Sequence, residues 1–464
     1  MVYPVLTLPF DIVSRIFVYC LPQRDDALPQ RTEAPLLLAA ICRDWRDIAL
    51  CTHELWNTMH LDLLRPHSVL KVTPLLDFWI PRAGNLPLSM SLLYKGGNSE
   101  TSTEAVTALV RQYACHWGTL ELHIPLAALL PLNNGTKDFT LLKKLVLNCE
   151  SEFLIRKKRV VRAFTRAPKL QELHILSGSG PISPANIALP WGQLATLRLD
   201  NSTVAGCLEV LAHVPNITNL TCILWTFGGT PSGPILCLPH LRSLRLLLSH
   251  TRGSALLNRL QLPALEHLEL DLPSAPQLEA VLQLIAQSAC LIRWLSVKLG
   301  SSWTPADFLR FLGVLDSLEE LVVRNGANSI DAVFHLLTAN PFLLPKLSSL
   351  QVERTAIDFD DVAAVVADLL ERRWNIPANV SFPARLESFR LTSPRVPPPD
   401  LGSDAMSRVN CLRSAGMSIQ MTFCGYGSDY RYMFPETVMR LLMAQCYQTT
   451  QTNRVEERAR TPRV

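Results

Sequence analysis

The sequence predicts an α/β solenoid, a fold in which a short strand and a covering helix recur along the chain. Two observations lead to this prediction. An apolar pattern, L-x-x-L-x-L, recurs at regular intervals through most of the 464 residues. In addition, 48% of the residues are apolar and only 18% are charged, below the roughly 25% of an average protein. Each repeat of a solenoid buries side chains against two neighbours, which leaves less surface for charged residues.

The spacing of the repeat is measured between the central apolar residues of successive copies. The steps are 25, 28, 24, 23, 24, 24, 27, 26, 29 and 39 positions. All except the last fall within the roughly 20 to 29 residues typical of leucine-rich repeats, which the pattern resembles. This resemblance implies a parallel sheet on the concave side and helices on the convex side. The central residues are Leu120, Leu145, Leu173, Leu197, Leu220, Leu244, Leu268, Leu295, Leu321, Leu350 and Phe389.

Helix signals lie between the predicted strands. Thr304 is a favourable N-cap, and Pro305 and Asp307 suit the first turn of the helix that follows. Another helix is predicted at residues 361–373. A further helix is predicted at residues 276–289, where the apolar face consists of Leu278, Val281, Leu282 and Ile285.

Two polar stretches interrupt or follow the last repeats, at residues 372–377 and 394–400. They are either loops on a rim near a binding face or ordinary variation in loop length. Beyond them, residues 435–447 are predicted as a closing helix, and residues 448–464 as a disordered polar tail.

Three short helical elements are predicted in the first 62 residues. Pro9 suits the first turn of the first helix, and Asp11 suits the positive end of its dipole. A second helix is predicted over residues 34–50, and a short third element contains Leu55 and Trp56. A unit this small needs a partner or a following domain to complete its core. A plain helical cap on the solenoid and a docking module both fit this pattern.

This segment resembles the F-box, in the form that is abundant in fungal F-box proteins. The likeness covers about residues 5–62, although the loop between the first two helices is longer than in many members. The matching motifs are Leu8-Pro9-x-x-Ile12-x-x-x-Ile16-Phe17, Ile41-Cys42-Arg43-x-Trp45-Arg46-x-Ile48-Ala49 and Leu55-Trp56.

The resemblance implies a partner, and it assigns some of these residues to the contact with that partner and others to the core of the motif. The partner is the Skp linker subunit of a cullin-based ubiquitin ligase, and the implied contact residues are Leu8, Pro9, Ile12 and Ile16. The implied core of the motif consists of Phe17, Ile41, Trp45, Leu55 and Trp56.

The strand pattern also predicts which side chains face away from the leucine core. Both charge signs occur there, with an acidic cluster at His267, Glu269 and Asp271. A sheet of about eleven strands, roughly 50 Å long, suits a protein surface or a long peptide. Trp294 is an interface anchor if Ile292 starts its repeat, and a core residue if Leu291 does. The candidate target-binding residues are Glu172, His174, Arg198, Arg245, His267, Glu269, Asp271, Trp294 and Arg324.

Several function classes find little support in the sequence. No glycine or serine motif has the context of a nucleophile elbow or a phosphate loop, so no catalytic or cofactor-binding residue is assigned. The twelve cysteines show no zinc spacing, and the cluster around Glu269 is more typical of a solvated face than of a metal site. A net charge of +4 is small for a nucleic-acid partner. No signal peptide or membrane-spanning run is recognised.

The predicted organisation is an F-box motif at residues 5–62, a leucine-rich-repeat solenoid at 63–434, a closing helix at 435–447 and a tail at 448–464. We expect a non-catalytic, cytoplasmic or nuclear substrate-recognition subunit of an SCF-type (Skp, cullin, F-box) E3 ubiquitin ligase. Its partners would be the Skp linker, a cullin through that linker, and a target protein on the repeats, with no cofactor, metal, nucleic acid, membrane or small-molecule substrate. The alternative is a leucine-rich-repeat scaffold without a ligase role. Co-purification of the linker and cullin would distinguish the two.

Overall fold

The computed structural model divides the chain into two compact units, Met1–Glu319 and Glu320–Val464, and each is described by itself. The solenoid expected over residues 63–434 stays a prediction. The structure describes residues 8–22, 29–62, 68–93, 107–124, 126–135, 138–149, 160–177, 184–224, 233–248, 254–272, 276–299, 303–324, 330–340, 342–353, 363–376, 383–393 and 404–423.

The first unit begins with three α-helices, α1 (Phe10–Tyr19), α2 (Leu36–Ile41) and α3 (Arg43–Cys51). The single helix predicted over residues 34–50 is therefore wrong. It is interrupted at Cys42, whose backbone is extended with φ −151° and ψ 175°. The Sγ of Cys42 accepts a hydrogen bond from the backbone N–H of Trp45 at 3.4 Å, so this residue caps α3.

The core of this region agrees only in part with the expected set. Phe17, Leu55 and Trp56 are buried, with at most 1% of each residue exposed. Ile41, expected in the core, is 53% exposed. Trp45 is only half-buried, with its ring 5.0 Å from that of Phe17. The break at Cys42 explains the exposure of Ile41, because residues on either side of it no longer share one helical face. Trp45 lies within α3 and keeps its contact with Phe17.

Ten strands of the first unit form a parallel sheet in which each strand pairs with the one before it and the one after it. Two short strands, β8 (Leu236–Cys237) and β10 (Leu260–Gln261), lie outside this order and pair with each other. The first two strands of the sheet precede the first predicted repeat. The ten strands are β1 (Thr58–Asp62), β2 (Leu88–Leu93), β3 (Trp117–His123), β4 (Lys144–Cys149), β5 (Glu172–Ser177), β6 (Thr196–Ser202), β7 (Asn219–Leu224), β9 (Ser243–Leu248), β11 (His267–Leu272) and β12 (Trp294–Leu299).

The register of these strands explains the spacing of the repeat. Leu120 lies beside Leu145, which lies beside Leu173, and the row continues through Leu197. All four residues are fully buried. The central residue of each copy therefore occupies one continuous buried row, and the expected α/β architecture, with a long parallel sheet, is confirmed.

Helices lie between these strands and match the predicted signals closely. Thr304 caps the helix Pro305–Leu312, and Thr304 and Asp307 form a reciprocal capping box. The helix Pro276–Ser288 buries Leu284, while Leu282 of the expected face is only half-buried. The other helices of the unit are α4 (Ser68–Trp79), residues 107–112, Val204–Leu211 and Ser254–Leu257.

The second unit has the same construction. Its four parallel strands, again in chain order, are β13 (Glu320–Arg324), β14 (Ser349–Glu353), β15 (Ser388–Ser393) and β16 (Ser418–Phe423). β16 follows the last predicted repeat. The helices of this unit are Ile330–Ala339, Ala363–Trp374 and Asp404–Ser414.

One predicted loop of the second unit is wrong. Residues 372–374 form the last turn of a helix, and Arg373 is only 1% exposed. Its guanidinium group donates hydrogen bonds to the carbonyl oxygens of Leu343 and Leu344. The second polar stretch at 394–400, the closing helix at 435–447 and the tail at 448–464 lie outside the described residues.

Candidate protein-binding surfaces

A stripe of apolar side chains lies exposed along α1. Leu8, Ile12 and Ile16 are spaced by four residues and are 41%, 50% and 40% exposed. Pro9, which precedes the helix, is also exposed, and its carbonyl oxygen accepts hydrogen bonds from the backbone N–H groups of Ile12 and Val13. All four residues implied as linker contacts are thus accessible. We call Leu8, Ile12 and Ile16 the α1 stripe.

The same helix also has a buried apolar face. Val13 and Phe17 are each 1% exposed, and they hold α1 against the rest of the unit. One apolar face would be sufficient for folding, so the α1 stripe is apolar surface that the fold itself leaves in water.

The exposed apolar surface near α1 is larger than the resemblance implied. Among the residues that the structure describes, thirteen large hydrophobic side chains are exposed, and seven of them lie between residues 8 and 41. The clustering sets this region apart, because single exposed hydrophobic residues are normal elsewhere. Helical spacing alone could not have identified Ile41, since it gave that residue a core position. The members beyond the α1 stripe are Phe10, Tyr19, Leu37 and Ile41.

A second candidate surface is the sheet face that lies opposite the leucine rows. We call it the exposed face, and in the first unit it carries every predicted target-binding residue except Arg324. Strand register places His174 beside Arg198, and Arg245 beside Glu269. The side chains of this face are therefore arranged in rows across neighbouring strands, some of them half-buried and others, such as Arg245, exposed.

The charges of the exposed face largely neutralise one another. The guanidinium group of Arg198 binds both carboxylate oxygens of Asp200, at 3.0 Å from Nε and 2.9 Å from Nη2. Arg245 Nε lies 3.2 Å from Glu269 Oε1. The predicted acidic cluster is therefore not a concentration of free negative charge. Lys298 Nζ also lies 4.0 Å from Asp271 Oδ2.

Two histidines of the exposed face, His123 and His174, have different surroundings. His123 Nε2 lies 2.8 Å from Glu121 Oε1, and its Nδ1 lies 2.9 Å from Asn148 Nδ2. The hydrogen bond from His123 lowers the pKa of Glu121. Burial lowers the pKa of His174 to about 4, and the nearby charges of Lys144 and Arg198 act in the same direction. His174 is therefore neutral at physiological pH.

No three His, Cys, Asp or Glu side chains of the described residues are grouped as ligands for a metal ion. The three residues His267, Glu269 and Asp271 alternate along one strand, and each has a neighbour from an adjacent strand. The register pairs them with Trp294, Ser296 and Lys298.

Trp294 lies on the exposed face, which decides between the two registers left open by the sequence. Ile292 is 2% exposed and Leu291 is 62% exposed, so Ile292 is the first core residue of its repeat. The ring of Trp294 is half-buried, and its centroid lies 6.2 Å from that of His267. An aromatic side chain beside polar ones is a typical interface anchor.

Apolar residues of the exposed face were missed by the sequence reasoning. Leu176, Ile223 and Leu247 each follow the last apolar residue of the pattern L-x-x-L-x-L in their strand, and all three are half-buried. Ile223 and Leu247 lie side by side on neighbouring strands. The available signal was an apolar residue at the outward position after the pattern L-x-x-L-x-L. The first unit thus combines neutralised charges with apolar side chains on one accessible face.

The second unit carries the remaining predicted target-binding residue, Arg324, at the end of β13. On the same sheet face, Gln351 Nε2 donates to Glu353 Oε1 at 3.2 Å. Arg390 Nε donates to Gln420 Oε1 at 3.0 Å. These residues make the face largely polar and internally hydrogen-bonded, although Val322, which lies beside Gln351, is apolar and buried.

A comparison with protein-family models and with curated proteins found no match. In the parts of the chain that the structure describes, no helix is both long and apolar enough to cross a membrane.

Proposed function

We propose that this protein is the substrate-recognition subunit of an SCF-type E3 ubiquitin ligase. The first helices bind the Skp linker subunit, and the exposed face of the first unit binds a target protein. The protein performs no chemistry itself, since ubiquitin transfer is carried out by its partners.

The observation that carries this proposal is the exposed apolar surface of residues 8–41. It coincides with the residues of the F-box resemblance, and α1 has a separate buried face that already attaches it to the fold. An apolar surface with no role inside the unit favours a protein partner. A helical cap that only closes a solenoid would present a polar outer surface instead.

The exposed face of the first unit supports the second half of the proposal. Trp294, Ile223 and Leu247 offer apolar contacts, and the ion pair of Arg198 with Asp200 offers fixed hydrogen-bonding groups beside them. Protein interfaces combine these features, with an apolar centre and satisfied polar groups around it.

A binding measurement tests the docking half. The double variant Ile12→Ala, Ile16→Ala removes half-exposed side chains, each of which contributes about 0.8 to 1.5 kcal/mol when covered by a partner. We expect the affinity for a purified Skp linker to fall by about 10- to 150-fold. Leu309→Ala is the matched control, because Leu309 is also a half-exposed apolar residue on a helix, 42% exposed. An unchanged affinity in the double variant refutes docking through α1.

A pull-down tests the target half. The double variant Ile223→Ser, Leu247→Ser should lose partners of the exposed face and retain the Skp linker, because these residues lie on strands and not on α1. The scaffold alternative makes a different prediction. In that case the exposed face holds a partner, but neither the linker nor a cullin is recovered with the wild-type chain.

A further inference from the structure

A cleft of about 390 Å³ lies among the connections that flank β3 and β4 of the first unit. Its walls come from three places in the chain: the helix before β3, the connection between β3 and β4, and the connection between β4 and β5. The residues that argue for a function are Arg111, Asn133, Asp138, Arg162 and Arg166. None of them lies on a strand, so the cleft is separate from the exposed face of the sheet.

Positive charge dominates this cleft. Arg111, Arg162 and Arg166 line it, and all three are exposed. Asp138 also lines it, with its Oδ1 3.3 Å from Nη1 of Arg166. Within the described residues, neither Arg111 nor Arg162 has an ion pair. Among the described residues, the lining therefore holds three guanidinium groups and one carboxylate, an excess of two positive charges.

The walls that carry these arginines are held in place. Asn133 Nδ2 donates to the carbonyl oxygen of Val160 at 2.9 Å, and Asn133 Oδ1 accepts the backbone N–H of Arg162 at 2.6 Å. These two bonds tie the segment of Arg162 to the 3-10 helix Leu126–Asn134, which follows β3. Beneath them, the rings of Phe139 and Phe164 pack with centroids 4.9 Å apart, and both residues are buried.

Gly135 gives Arg111 its place at the edge of the cleft. A Cβ atom at this glycine would lie 3.3 Å from Cδ of Arg111 and 3.1 Å from the carbonyl oxygen of Leu132. The aliphatic part of Arg111 thus lies directly against the backbone of Gly135. Arg162 is thus held at its backbone and Arg111 along its aliphatic part, while both guanidinium groups remain exposed.

We propose that this cleft binds the phosphate group of a phosphate monoester. A phosphate monoester has three terminal oxygens and a charge between about −1.5 and −2 at neutral pH, which matches an excess of two positive charges. One guanidinium group donates two parallel hydrogen bonds to two phosphate oxygens. Three guanidinium groups offer more donors than a carboxylate ligand, with only two oxygens, would use. The proposal goes beyond the ligase role and does not depend on it.

The phosphate can belong to a small molecule or to a phosphorylated side chain, and two probes distinguish these sources. Isothermal titration calorimetry on the full chain would use inorganic phosphate and a phosphoserine pentapeptide, with the unphosphorylated peptide as a blank. We expect inorganic phosphate to bind with a Kd of about 1 mM or tighter at low salt. A peptide that binds more tightly than inorganic phosphate identifies a phosphorylated side chain, and equal or weaker binding identifies a small molecule.

Variants with opposite expected effects on phosphate affinity test the proposed roles of the lining residues. Arg111→Gln with Arg162→Gln should weaken phosphate binding by about tenfold or more. Asp138→Asn should tighten it severalfold, because Arg166 loses the carboxylate that competes with the phosphate. The ion pair of Arg293 with Glu319, at 3.4 Å in the same unit, supplies matched controls. Neither Arg293→Gln nor Glu319→Gln should change phosphate binding by more than about twofold.

A neighbouring run of positive charge supplies the last control. Residues Arg156, Lys157, Lys158 and Arg159 precede Arg162 in the sequence and lie outside the described residues. At about 0.15 M salt, where exposed charges more than about 8 Å apart are largely screened, replacing all four with glutamine should leave the affinity for inorganic phosphate within about threefold of wild type. The proposal is overturned if phosphate does not bind, if the Arg111 and Arg162 double variant binds as wild type does, or if loss of this run alone abolishes binding.

Discussion

Two tryptophans of the first helical region differ sharply in their surroundings, and truncating them should therefore have unequal effects. Trp56 is fully buried, and its Nε1 donates to the carbonyl oxygen of Ala49 at 2.8 Å. Its ring lies 4.9 Å from that of Trp79 at an interplanar angle of 74°. Trp45 is half-buried and has one aromatic neighbour, Phe17. Trp56 thus links α3 to the end of α4, whereas Trp45 contacts the region from its edge.

The sizes of the two effects follow from burial. Trp56→Ala should cost about 3 to 5 kcal/mol, because it leaves a cavity and removes the hydrogen bond to Ala49. Trp45→Ala should cost about 1 to 2 kcal/mol, because much of that side chain is already in water. Trp56→Phe is the control for ring packing, since it keeps an aromatic ring against Trp79 and loses the N–H donor.

Hydrogen exchange measured by mass spectrometry is the suitable assay, since a chain of 464 residues need not unfold in one step. Peptides that cover α3 and the turn after it should lose protection in Trp56→Ala and much less in Trp45→Ala. Peptides from β9 and β11 should keep theirs in both variants. Equal loss of protection in the two variants would contradict the reasoning from burial.

Three further predictions concern titration, helix capping and a buried charge. Because the pKa of His174 is lowered from 6.5 to about 4, the folded state disfavours its protonation, and stability should fall as the pH drops from about 6.5 to 4. His174→Gln should reduce the pH dependence of the free energy of unfolding measured with urea. The reduction should be less than about 1.4 kcal/mol for each unit by which the pKa is shifted, because the side chain is only partly buried. Thr203→Ala should cost about 1 kcal/mol in the same assay, since Thr203 Oγ1 accepts the N–H of Gly206 at 3.1 Å and caps a helix. Arg373→Ala should destabilise the second unit by about 3 kcal/mol, whereas Arg373→Met should cost clearly less, because it refills the volume. Thermal melting checks this order. A lower melting temperature for Arg373→Met than for Arg373→Ala would contradict the view that Arg373 mainly fills buried volume.

The exposed surface of α1 illustrates how far residue patterns can be taken. Ile12 and Ile16 share a helical face with Leu8, but the sequence cannot show whether that face is covered by another part of the chain. Val13 and Phe17 are equally apolar and are buried. Which of the two faces remains in water depends on where α3 and the following turn pack, and that is decided by contacts distant in sequence.

The arrangement of charges on the exposed face was likewise decided by pairing between strands. The sequence places Arg245 and Glu269 twenty-four positions apart, and only the register brings them to 3.2 Å. Because neighbouring strands lie about 4.8 Å apart, a side chain finds its partner on the next repeat as readily as on its own strand. An acidic cluster inferred from one strand was therefore neutralised by residues from adjacent strands.

The sequence by itself determined the repeating architecture, because a leucine that must be buried at every step is a local requirement that recurs with a measurable period. It also determined the helix start at Thr304, since a cap involves residues within one turn of each other. Tertiary structure alone decided the exposure of Ile41 and the burial of Arg373. Each of these depends on competition among distant segments for a limited buried volume, and local spacing carries no information about which segment occupies it.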